Sequence, residues 1–112
     1  MFAVIYQGYV MDGHEAEYKK LWHKVACYFM ERRGAIGSCL HQAGDGLWLA
    51  YSRWPDRATR DASWPGDNAP SDDELPDDIK SSIAAIKSCL DQERKLPEIC
   101  MEVKDDLLLK NR

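Results

Sequence analysis

The chain has 112 residues, 45% hydrophobic and 30% charged, with a formal net charge of −4. That length suits one domain, 1–112, able to bury a core alone but helped by a partner. Its 15 Lys and Arg are scattered among 19 acids without a basic block, which argues against a nucleic-acid surface, and no apolar run approaches the roughly 18 residues of a membrane helix.

In chain order, MFAVIYQGYV predicts a first strand from Phe2 to Val10. The same stretch lacks the basic n-region of a signal peptide, so the cytoplasm is the expected compartment. Asp12-Gly13-His14-Glu15 has the form of a capping box. Behind it Tyr18, Leu21, Trp22, Val25 and Phe29 recur at helical spacing, and Gly34 after Arg32-Arg33 is a helix stop. Ser38 to Gln42 reads as a short strand, and Ala43 to Gly46 as a hairpin turn. Leu47 to Trp54 returns as the partner strand and ends before Pro55.

From Asp56 to Asp78 the composition turns to Asp, Pro, Ser and Ala. A short helical turn over Arg57 to Ala62 is expected, then an acidic loop of about 63–78, of a length common in lids and mobile segments. A second long helix carries Ile79, Ile83, Ile86 and Leu90 on one stripe, and Pro97 closes it. Glu98 to Val103 is the last strand, and an apolar tail, 105–112, follows. The four cysteines, Cys27, Cys39, Cys89 and Cys100, contain no C-x-x-C pair, and each sits in an apolar periodic segment. They read as buried, reduced thiols.

The order β-α-β-β-α-β is the ferredoxin-like, split βαβ pattern: an α+β fold with an antiparallel four-stranded sheet and two helices on one face. Residues an even number apart on a strand share a face. Trp48, Ala50, Ser52 and Trp54 therefore lie together, and Leu47, Leu49, Tyr51 and Arg53 point the other way. Strand faces apolar on both sides need cover on both sides, which a homodimer with packed sheets provides.

On these residues the chain resembles the antibiotic biosynthesis monooxygenase (ABM) family of dimeric α/β barrels. The resemblance rests on DGHEAEYKKLW, GAIGSCLHQ and, above all, LWLAYSRWPDRATRDA. It implies a homodimer and, as in some members, oxidation of a quinol or anthrone-type aromatic by O2 with no metal or flavin. It also implies that the strand-end Trp54 faces a cavity between sheet and helices. Haem degradation, the activity of a related branch, is disfavoured. Tyr6 falls near where those enzymes place an Asn, and no His follows His41 where they need an axial ligand.

Such an oxygenase needs a dry aromatic cavity, donors for a phenolate and at most one base. Trp22, Trp48, Trp54 and Trp64 are the candidate walls, with Ala50 and Ser52 as a notch between indoles. Tyr6 is the candidate donor and His23 the candidate base. The plain alternatives are that the strand aromatics are packed core and that His23 is a rim residue. A binding module or a dimerisation module of the same fold accounts for the same pattern. The acidic loop would discourage anions, so a neutral aromatic is the expected small-molecule partner.

Overall fold

Period-two alternation of large apolar side chains makes the first strand, and three glycines with positive φ, Gly13, Gly34 and Gly46, lie in the turns that follow it. In the computed structural model, residues 1–63 and 75–108 are described. Four strands, β1 (Phe2–Tyr9), β2 (Gly37–Gln42), β3 (Leu47–Trp54) and β4 (Ile99–Glu102), form one antiparallel sheet in the order β2-β3-β1-β4. Three helices, α1 (Glu15–Arg32), α2 (Arg57–Ser63) and α3 (Asp77–Cys89), complete the ferredoxin-like α+β fold expected from the sequence. No helix among the described residues is long and apolar enough to cross a membrane.

The boundaries show where local signals were overridden. No side chain of the Asp12–Glu15 box caps α1; its N-cap is His14, and Glu15 instead accepts a hydrogen bond from Gly13 N at 3.0 Å. Gly34, at φ +86°, ends α1 as its sequence position suggested. Gly46, at φ +88°, closes the hairpin, where Asp45 Oδ1 accepts from Leu47 N at 3.1 Å. The second long helix stops at Cys89 rather than at Pro97. Leu90 turns extended and bridges to Val10, while Asp91 N donates to Tyr9 O at 2.8 Å. The chain thus leaves the helix early to pair with the end of β1, and a 3-10 turn at Gln92–Arg94 fills the gap before β4.

The core lies between the sheet and the two long helices. Phe2, Val4 and Trp54 from the sheet pack with Val25 and Phe29 of α1 and Ile79 of α3. A second cluster joins Val10 and Trp48 to Tyr18 and Cys89. Of the four cysteines expected to be buried, only Cys89 is; Cys39 is exposed because its strand position faces away from the helices, and Cys27 and Cys100 are half-buried.

On the other face Ile5, Leu47, Leu49 and Tyr51 are half-buried. Arg53, on this face, is buried at 6% exposure, and its Nη2 donates to Asp106 Oδ2 at 2.8 Å. The segment after β4 is drawn back over β1 by a bond from Val103 N to Met1 O. Asp106→Ala leaves a buried guanidinium without its carboxylate and should cost about 2–3 kcal/mol, read as a lowered midpoint in urea unfolding. An unchanged midpoint would mean that another group already neutralises Arg53.

Candidate functional site

The register of the sheet assembles the site. Tyr6 pairs with Ala50, Val4 with Ser52 and Phe2 with Trp54, so the Phe2-Val4-Tyr6-Gly8 set of β1 shares the helix-facing side with the even residues of β3. Ala50 is too small to reach the helices. Above it α1 contributes Trp22 and Phe29, and α3 contributes Ile83 and Ile86. The result is a cavity of about 350 Å³ between sheet and helices, partly open to solvent. That volume lies at the small end of the range of roughly 300–1,000 Å³ typical of small-molecule sites.

At the Trp54 end the wall is fixed by contacts. Trp54 Nε1 donates to Ser52 Oγ at 3.3 Å, and its ring meets Phe29 edge-on with centroids 6.3 Å apart. The indole donor is therefore spent on the neighbouring hydroxyl, and the ring serves as an apolar wall.

Tyr6 carries the polar chemistry. Its hydroxyl accepts from Arg60 Nη2 at 3.2 Å, and the same Nη2 also donates to Glu98 Oε2. Burial pushes the Tyr6 phenol up to about 12, against the pull of the Arg60 charge. Arg60 is buried; desolvation opposes its charge, but Tyr6 and Glu98 outweigh this and hold it above its ordinary range. Glu98 lines the cavity beside Tyr6 because β4 pairs Ile99 with Ile5.

The residues read from the sequence separate into groups. Tyr6, Trp22, Ala50, Ser52 and Trp54 all line the one cavity. Trp48 shares their strand face but does not line it, because Tyr18 packs edge-on against its ring at 5.5 Å and Cys89 closes the space beyond. His23 is exposed on α1, with Nε2 3.5 Å from Cys27 Sγ, and is not among the lining residues. Trp64 and the acidic run through Glu74 lie outside the described residues.

Arg60 and Glu98 escaped the sequence reading. They meet Tyr6 from 54 and 92 positions away, so no local pattern announces them. The one local signal is Asp56, whose Oδ1 accepts from Thr59 N at 2.7 Å and caps the helix that carries Arg60.

Neither the family models nor the curated proteins contain a match to this chain. Solved structures do. One described as an antibiotic biosynthesis monooxygenase aligns over 94% of this chain and 100% of its own, at 15% identity and a TM-score of 0.68. A variant of SnoaB, a cofactor-independent oxygenase from Streptomyces nogalater, aligns over 96% of both chains at 12% identity and 0.68. A conserved protein from Methanosarcina mazei Go1 aligns over 92% of both at 16% and 0.69. The chain has the fold of the ABM proteins.

The raised phenols give a titration test. Tyr6 and Tyr18 are both pushed by burial from 10.0 to about 12. Because the folded state holds these protons more tightly, their contribution to stability is complete below pH 10 and fades as pH climbs through about 12. An alkaline spectrophotometric titration should show two late phenols, and Tyr6→Phe should remove one of them. Two late steps surviving in that variant would place the second buried phenol elsewhere.

Proposed function

We propose that this chain is a small homodimeric, cofactor-independent oxygenase that acts on a phenolic or quinol aromatic. The observation that carries this reading is the cavity: apolar walls from Trp22, Phe29 and Trp54, a floor cut away at Ala50, and the half-buried Tyr6 phenol backed by a cation. A flat aromatic ring fits between indole and aliphatic walls, and Tyr6 donates to the oxygen on which charge develops. The ABM-like fold, with a cofactor-independent oxygenase among its structural neighbours, supports the same reading.

For an anthrone-type substrate the enolate passes one electron to O2. Recombination forms the carbon–oxygen bond of a hydroperoxide, and loss of water leaves a carbonyl where the CH2 stood. One O2 is consumed and one water released per turnover. The protein excludes bulk water, orients the ring and steadies the oxyanion.

The test is oxygen uptake with a panel of anthrones and naphthohydroquinones, using protein verified free of flavin and redox metals. Ala50→Leu should abolish uptake by filling the cavity. Tyr6→Phe should lower kcat by about 100-fold, the loss typical of removing one oxyanion donor. A non-catalytic binding module is the second reading, favoured by the lack of a histidine among the described lining residues. It predicts quenching of tryptophan fluorescence by the same compounds without oxygen uptake.

The homodimer is supported by the half-buried apolar side chains of β3 that face away from the helices, and by Arg53, whose buried Nε and Nη1 have no partner among the described residues. Buried donors without acceptors call for a group from outside the fold. Leu49→Glu places a charge at the centre of that face and should give a folded monomer by light scattering. A dimer mass retained at micromolar concentration would move the interface elsewhere.

A further inference from the structure

We propose that His14, Glu17 and Cys89 form a binding site for a divalent ion of zinc type, which ties the start of α1 to the end of α3. His14 is the N-cap of α1, Glu17 lies in its first turn and Cys89 ends α3, and none of them lines the cavity.

The donors are already gathered. Glu17 Oε1 lies 3.3 Å from His14 Nδ1 and 3.6 Å from Cys89 Sγ, and all three donor atoms fall within 4.8 Å of one another. Zinc bonds of about 2.0–2.2 Å to nitrogen or oxygen and about 2.3 Å to sulfur, at tetrahedral angles, place such donors roughly 3.3–3.6 Å apart. Two edges of the triangle match those spacings. The third, within 4.8 Å, closes by rotation of the half-exposed His14 side chain.

The backbone holds the two halves together independently of these side chains. Met11 N donates to Cys89 O at 2.8 Å, and His14 N donates to Met11 O at 3.0 Å. The bridge from Val10 to Leu90 anchors the same corner. A site whose ligands sit on prefixed segments loses little entropy on binding.

The donor set also selects the ion. One imidazole, one carboxylate and one thiolate suit zinc or cobalt; magnesium and calcium prefer oxygen alone. Without an ion the Cys89 thiol donates to Glu17. Binding replaces that proton, which leaves to solvent, and thiolate and carboxylate then offset the two charges of the ion. Cys89 is 1% exposed, whereas His14 and Glu17 face solvent, so the fourth position is open to water on the outer side. Zinc has no redox chemistry, so the site braces the cavity roof and takes no part in oxidation.

Cobalt is the probe, because a cobalt–thiolate bond gives a charge-transfer band and tetrahedral cobalt absorbs in the visible. Titration of the full chain with Co²⁺ should give one equivalent with both features, displaced by Zn²⁺. Cys89→Ser should abolish the charge-transfer band. His14→Ala, at an exposed position that leaves the fold intact, should weaken affinity by at least about tenfold. Zinc should raise the unfolding temperature of the unaltered chain and not that of His14→Ala. Cys27→Ser is the control, since Cys27 and His23 form a second sulfur–imidazole pair on α1. A band that survives Cys89→Ser, or that disappears in Cys27→Ser, would overturn the proposal, as would the absence of any band.

Discussion

The pairing of β3 with β1 sets which side chains can meet at all. With Tyr6 opposite Ala50 and Phe2 opposite Trp54, the smallest residue of β3 stands beside the helix-facing phenol of β1. A slip of one residue would turn Leu49 and Tyr51 to the helices and Ala50 and Ser52 away from them. The cavity would fill with leucine, and both tryptophans would face outward. Phe2 and Val4, both fully buried, hold the register by packing into the helix layer, where no alternative alternation would bury as much. The site is thus a by-product of core packing: large residues at each end of β3 fasten the strand, and a small one between them leaves space.

The same strand imposes the demand on the opposite face. Its odd residues are apolar until Arg53, so β3 is a central strand with no polar side. Arg53 is the informative exception. A guanidinium buried to this degree is costly unless its donors are met, and Asp106 meets only one nitrogen. The tail therefore supplies part of the solution, and among the described residues Nε and Nη1 have no acceptor.

Much of this was readable from one sequence, for a physical reason. Strand parity depends only on counting, so the shared face of Trp48, Ala50, Ser52 and Trp54 follows from spacing. Helical stripes behave likewise: Tyr18, Val25 and Phe29 are buried as their recurrence implies. Distances between elements do not follow. Whether Trp48 walled the cavity or closed the core depended on how near Tyr18 comes to it, which is set by the tilt of α1 across the sheet. His23 illustrates a nearer limit. One residue beyond Trp22 means a turn of about 100° around the helix, enough to carry the imidazole from the rim of the apolar stripe into solvent. Arg60 lay beyond reach altogether, because a seven-residue helix after a strand gives no hint of what its inner face will touch.

Arg60 and Glu98 together set the state of the Tyr6 phenol. Burial alone would keep Tyr6 neutral but leave its hydroxyl weakly polarised. A bare cation beside it would draw the proton off and convert the donor into an acceptor. Glu98 resolves the conflict by holding the same guanidinium nitrogen, so that Tyr6 faces a charge largely offset. The net outcome is the direction observed: desolvation outweighs the cation, and the phenol keeps its proton up to about pH 12. A buried ion pair adds little to stability on its own, since desolvation cancels most of the attraction. Here the same guanidinium nitrogen also holds the Tyr6 hydroxyl, at 3.2 Å.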